Sequence, residues 1–213
     1  MYDHVSDLHL DNAMQGGPIG TLGRTSLVQY KTDLGTRLIV AGDTSEYLAD
    51  TVDVLNGLAP HYELVVAVLG NHEKPGPHAR LAGNVVILDL LGHPLVHDRV
   101  GYVGGCLGTE PEVDRAVDQY RDIAGQVDRV ILVSHFVPTP RLSMVVRRDI
   151  AGKCNDLLDR LGPVLGRTDV VFGHVHLEFE TQVDGMPVHS NPRGYRGKRR
   201  DGTFWRSRFA SFT

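Results

Sequence analysis

Cysteine is scarce: the 213 residues contain only Cys106 and Cys154. Two thiols make neither a disulfide framework nor a Cys-type zinc motif, so neither kind of staple organises the fold. Long apolar runs are missing as well, and none approaches the roughly 18 residues that a membrane-spanning helix needs. The opening Met1-Tyr2-Asp3-His4 has no basic leader and no signal-type apolar stretch. Excess charge is small, a formal −4, which argues against a general nucleic-acid coat protein while leaving a local basic site open. Internal repeats, low-complexity tracts and linkers are absent. These absences predict a reduced, cytoplasmic chain without membrane attachment, folded as a single domain over residues 1–213.

What is plentiful is histidine, with eleven in the chain. Their placement follows a pattern. Leu38-Ile39-Val40-Ala41 precedes Gly42-Asp43, Leu64 to Leu69 precedes Gly70-Asn71-His72-Glu73, Val130 to Val133 precedes Ser134-His135, and Val170-Val171-Phe172 precedes Gly173-His174-Val175-His176. Continuous apolar, β-branched runs are the mark of strands covered on both faces, as in α/β proteins. Polar residues just beyond such strands stand where α/β sheets place their sites. Helices are predicted over Thr44 to Leu58, with Leu48, Val52 and Leu55 on one face, over Glu110 to Gln126, and over Ile150 to Leu165. The short runs between Val85 and Gly108 predict antiparallel hairpins, and Glu178 to Phe209 alternates in the same manner, with turn signals at Asp184-Gly185 and Asp201-Gly202. The loop Asn12 to Ser26, five of whose fifteen residues are glycine or proline, borders the first polar segment.

Five segments carry metal-binding chemistry: Asp7-Leu8-His9, Gly42-Asp43, Gly70-Asn71-His72-Glu73, His135, and Gly173-His174-Val175-His176. In an extended chain Asp7 and His9, two apart, point to the same side and reach one ion together. Asp43 has two carboxylate oxygens and can bridge two ions. A lone His or Asp after a strand is ordinarily a loop residue or a cap. If the strands are parallel neighbours, however, all five segments meet at one sheet edge. Two aspartates, one asparagine and four histidines gathered there are costly unless cations compensate them. Mixed nitrogen and oxygen donors suit Mn²⁺, Fe or Zn²⁺ better than Ca²⁺.

The order and wording of these segments resemble the calcineurin-like metallophosphoesterase family, whose signature runs Asp-x-His, Gly-Asp, Gly-Asn-His-(Asp/Glu), His, and Gly-His-x-His. The resemblance covers residues 3 to about 195. It implies an α/β fold, a four-layer α/β/β/α sandwich of two packed mixed sheets flanked by helices. It implies that Asp7, His9 and His176 bind one ion, that Asn71, His135 and His174 bind a second, and that Asp43 bridges them. His72 then stands beside the substrate with Asn71, as the catalytic histidine. The cofactor is two divalent ions, Mn²⁺ first, with Fe, Zn²⁺ or Mg²⁺ as alternatives. Of the remaining histidines, His189 and His78 lie near site segments in sequence.

Such a pair of ions activates a water for in-line attack on phosphorus, so no serine or cysteine nucleophile is needed. Two divalent ions, two aspartates and one hydroxide sum to about +1, which a phosphodiester neutralises and a phosphomonoester exceeds. Small family members without a cap imply small diesters, 2′,3′-cyclic nucleotides foremost. A phosphomonoesterase, a nuclease, and a metal-stabilised binding module without turnover remain as alternatives. The basic residues Arg193, Arg196, Lys198, Arg199, Arg200, Arg206 and Arg208 form either a solvated face or a phosphate contact.

Overall fold

The computed structural model describes residues 1–10, 35–143, 152–164, 166–192 and 210–213. The expected loop Asn12 to Ser26, the Asp201-Gly202 turn and the basic residues from Arg193 to Arg208 lie outside them. No helix among the described residues is long and apolar enough to cross a membrane.

Two sheets face each other. The first joins β11 (Ala210–Phe212), β1 (Tyr2–Val5), β2 (Arg37–Ala41), β3 (Leu64–Val68) and β4 (Val85–Ile87), in that order. The second joins β5 (Leu95–His97), β6 (Val100–Gly105), β7 (Arg129–Ser134), β8 (Arg167–Phe172), β10 (Met186–Ser190) and β9 (Phe179–Val183). Strands β1 to β4 pair parallel, as do β6-β7-β8-β10, whereas β11, β5 and β9 are antiparallel edges. The parallel interior explains the unbroken apolar runs, because both faces of each strand are covered.

The alternation of side chains sorts them into three cores. In β2 and β3, Leu38, Val40, Val65 and Ala67 pack with Leu48, Val52, Leu55 and Leu58 of helix α1 (Leu48–Leu58). Their neighbours Ile39, Ala41, Val66 and Val68 face the other way and meet Tyr102, Ile131, Val133 and Val171 of the second sheet. Behind that sheet, Val130, Leu132 and Val170 pack with Val113, Val117 and Tyr120 of helix α3 (Glu110–Ile123).

Several elements differ from expectation. Helix α1 starts at Leu48 rather than Thr44, because residues 44–47 are bonded elsewhere: Leu48 N–H donates to Lys74 O and Lys74 N–H to Glu46 O. Helix α3 begins at Glu110 as expected, where Thr109 N–H donates to Glu112 Oε2 at 2.9 Å in a capping box. The run Val85 to Gly108 is not all hairpin. Val85–Ile87 joins β3 in parallel, the single-turn helix α2 (Leu88–Leu91) follows, and only β5 and β6 form an antiparallel pair. Of the third helix, expected over Ile150 to Leu165, residues 150, 151 and 165 lie outside the described residues, and within the rest only α4 (Leu157–Arg160) is helical. Asn155 Oδ1 takes the Leu157 N–H at its start, and Gly162, at φ 72°, turns the chain away at its end, before Pro163. Residues 178–190 form the expected hairpin around Asp184 and Gly185, both at positive φ.

Candidate metal centre

The polar segments all leave carboxyl ends of parallel strands, but they divide between the two sheets. Asp7, Asp43 and Asn71 follow β1, β2 and β3, whereas His135 and His174 follow β7 and β8. The expectation of one sheet edge is therefore corrected: two facing edges supply the site.

Left-handed backbone aims many of these side chains. Asp7 (φ 51°), His9 (φ 42°), Asp43 (φ 52°), His174 (φ 70°) and His176 (φ 48°) lie in a region that non-glycine residues seldom adopt. Asp7 and His9 do converge, yet not along an extended strand as their spacing suggested. Asp7 N–H donates to Gly42 O and His9 N–H to Asp43 O, so the first loop is laid along the second. Such strain persists only where surroundings enforce it, and it collects at functional sites.

The side chains form three interlocking groups: Asp7, His9 and His176; His9, Asp43 and His72; Asp43, His135 and His174. In the first, His176 Nε2 is 3.1 Å from Asp7 Oδ1 and 3.1 Å from His9 Nε2. In the third, His135 Nε2 is 3.0 Å from Asn71 Oδ1, 3.2 Å from His174 Nδ1 and 3.4 Å from Asp43 Oδ2. Asp43 Oδ2 also faces His9 Nε2 at 3.7 Å and His72 Nε2 at 3.9 Å. Donors bound at about 2.1 Å around one ion sit roughly 3.0–3.4 Å apart, so these separations fit a cation in each outer group. Two ring nitrogens facing each other at about 3 Å either share one proton in an N–H···N bond or both turn lone pairs toward a cation. The donor set therefore fits two divalent ions, with Asp43 in one outer group and its Oδ2 3.7 Å from His9 of the other.

Neighbouring groups fix the orientation. His135 Nδ1 is 3.0 Å from Ala41 O, which assigns the proton to Nδ1 and leaves Nε2 for the cluster. Phe136 stacks on His174 at 4.4 Å. Asp7 accepts from His174 N–H at 3.0 Å and from Ser6 Oγ at 2.5 Å. Close packing requires glycine at two places. A Cβ on Gly70 would lie 2.0 Å from Asp43 Oδ1, and one on Gly173 2.8 Å from Asp7 Oδ2.

Electrostatics follow from burial. Burial holds His9 down at about 4 against the charges of Asp43 and Asp7, and burial with the charge of His135 holds His174 at about 4. Burial also acts to discharge His135, but the hydrogen bond and charge of Asp43 raise it to about 9. For Asp43, burial acts upward and is outweighed by His135 and His72, leaving about 2. Without ions, Asp43 and His135 thus form a buried ion pair.

Two carboxylates were given no role by sequence, Glu73 at the end of the third segment and Asp89 outside all five. Glu73 is half-buried, desolvation pushes its carboxyl up, and it accepts from Gly70 N–H at 2.7 Å and Thr44 N–H at 2.6 Å. Asp89 on α2, also raised by burial, accepts from Leu69 N–H and Cys106 N–H, each at 2.7 Å, and so joins the exits of β3 and β6. The signal for Asp89 was present as one acid within the apolar run Leu88-Asp89-Leu90-Leu91. His78 and His189 do not join the cluster. His78 is exposed and 2.8 Å from Ala79 O, while His189 groups with His4 and Glu180.

No family model and no curated protein matches the chain. Among solved structures it is similar to the phosphopantetheinyl hydrolase PptH from Mycobacterium tuberculosis, with 17% identity, 91% of this chain and 89% of that one covered, and a TM-score of 0.51. A 5′-nucleotidase from Candida albicans SC5314 matches at 14% identity over 89% of this chain and 45% of that one, with a TM-score of 0.43. The first likeness extends to the fold, a mixed α/β chain with two sheets.

Proposed function

We propose that the chain is a phosphoesterase dependent on two divalent cations, Mn²⁺ foremost, and that small phosphodiesters are its substrates. The observation that carries this reading is Asp43, one of whose oxygens faces His135 at 3.4 Å on one side and His9 at 3.7 Å on the other. On this reading Asp7, His9 and His176 hold one ion, Asn71, His135 and His174 hold the other, and Asp43 joins them. The outer helices α1 and α3, packed behind the two sheets, support the four-layer arrangement that the family resemblance implies.

When bound, two such ions supply an activated water at neutral pH and offset the charge of the phosphate. The chain's own residues do the rest. His72, about one-third exposed, stands at the rim with Nε2 3.9 Å from Asp43 Oδ2. It is placed to donate a hydrogen bond to a phosphate oxygen or a proton to the leaving group. Asp43 Oδ1 accepts the His72 backbone N–H at 3.1 Å, which fixes the position of His72 relative to the bridging carboxylate. Half-buried Glu73 holds the loops that carry Asn71 and Asp43. The charge balance of about +1 favours a singly charged diester over a doubly charged monoester.

The test is Mn²⁺-dependent hydrolysis of bis-p-nitrophenyl phosphate, p-nitrophenyl phosphate, 2′,3′- and 3′,5′-cyclic AMP, an oligonucleotide, and a phosphopantetheinyl conjugate prompted by PptH. Hydrolysis of the aryl diester and the 2′,3′-cyclic nucleotide, abolished by chelator and by Asp43→Asn, is expected. Metal-loaded protein that turns over none of them contradicts any phosphoesterase reading, and a strong monoester preference overturns the diester assignment.

A further inference from the structure

A second histidine cluster lies apart from the centre, at an edge where the two sheets meet. His4 belongs to β1 of the first sheet, while Glu180 and His189 are cross-strand partners on β9 and β10 of the second. Asn191, just past β10, ties these strands to β1. Its Nδ2 donates to His4 O at 2.8 Å, and its carbonyl accepts the Ser6 N–H at 3.1 Å. Donor atoms of His4, Glu180 and His189 all lie within 4.8 Å of one another. We infer that these three residues hold a further divalent cation, zinc by donor type, which clamps the first sheet to the second.

Three observations support the assignment. First, His189 Nδ1 and Glu180 Oε1 are 3.4 Å apart. That is long for a hydrogen bond to a carboxylate, commonly 2.7–2.9 Å if charge-assisted, yet it is about the edge of a tetrahedron with ligands at roughly 2.1 Å. Second, two imidazoles and a carboxylate are a donor set that zinc accepts, with the fourth position left to solvent beside the exposed Glu180. Third, a buried carboxylate stands on the side of the opposite nitrogen of His189. His189 Nε2 is buried and without a hydrogen-bond partner among the described residues, and Asp169 Oδ1 stands 4.0 Å from it. Asp169 is itself held by Arg129 at 2.6 Å. A carboxylate behind the ring nitrogen opposite the metal is the usual device for orienting such a histidine. The ring plane is also fixed, because Phe212 stacks on His189 at 4.6 Å and meets His4 edge-on at 5.7 Å.

The inference does not rest on the phosphoesterase reading, and one experiment separates the two. The full chain, stripped by chelator, is dialysed against Zn²⁺ alone, and bound zinc per chain is counted for the wild type, Glu180→Gln and His189→Gln. Each variant is expected to bind one ion fewer than the wild type, whatever number the central cluster takes. Glu180 is 64% exposed in its side chain, so Glu180→Gln does not threaten the core. An unchanged count in Glu180→Gln and His189→Gln overturns the inference, as does a folded variant with Asp7, Asp43 and His135 replaced, and His4, Glu180 and His189 kept, that binds no zinc.

Discussion

At the scale of single residues, the centre depends on where protons sit before ions arrive. His135 is raised to about 9 by Asp43, whereas His9 and His174 are held near 4 by burial. At neutral pH, therefore, His9 and His174 are uncharged and His135 carries an extra proton. Ion binding must displace the His135 proton, so uptake at pH 7.5 should release close to one proton per chain. Calorimetry in buffers of different ionisation enthalpy measures this directly, and a heat independent of buffer contradicts it. The sign for stability follows. A pKa raised from about 6.5 gives the metal-free fold a contribution that is complete below 6.5 and is lost as pH rises through about 9. Replacing His135 with Gln should remove that high-pH loss. His72 makes the opposite case, since its ring stands at the rim and not inside either outer group. His72→Ala should lower kcat by about 100-fold or more and leave the metal content intact, a separation read by pairing kinetics with metal analysis. Loss of metal in that variant would show His72 to be a ligand.

At the scale of elements, the loops matter more than the strands they follow. Strands β2, β3, β7 and β8 were legible as unbroken apolar runs, each with a candidate ligand among the polar residues after it, whereas β1, with Asp3 and His4 among its four residues, was not. What the sequence could not display was the left-handed turn that aims Asp7, His9, Asp43, His174 and His176, because φ is set by how the loops are hydrogen-bonded to one another. The same limit explains α1, whose first four expected residues are drawn off by Glu46 and Lys74. It explains β4 too: a short apolar run pairs parallel or antiparallel according to the neighbour it meets, and β3 was nearest. Asp89 belongs to this scale, since its two bonds connect the loop after β3 to the loop after β6. Asp89→Asn turns an amide NH₂ toward one of those N–H groups and should cost about 1–3 kcal/mol, measured by urea denaturation. An unchanged midpoint would mean that the two loops are held by other contacts.

At the scale of the whole molecule, the division of candidate ligands between two sheets is the feature with most consequence. Asp7, His9, Asp43 and Asn71 come from one sheet and His135, His174 and His176 from the other, so the centre exists only when the sheets are packed face to face. The apolar layer of Ile39, Val66, Tyr102, Ile131 and Val171 does that packing and thereby sets the spacing of the ligands. The set of seven candidate ligands was readable from sequence order, but its split across two edges was not, because nothing local marks which strands share a sheet. The central claim is that two ions lie on either side of Asp43. Anomalous diffraction from a crystal of Mn²⁺-loaded protein, recorded at the manganese edge, tests it most directly. The account predicts two peaks about 3.5–4 Å apart with the Asp43 carboxylate between them. A single peak, or none in contact with Asp43, would contradict it.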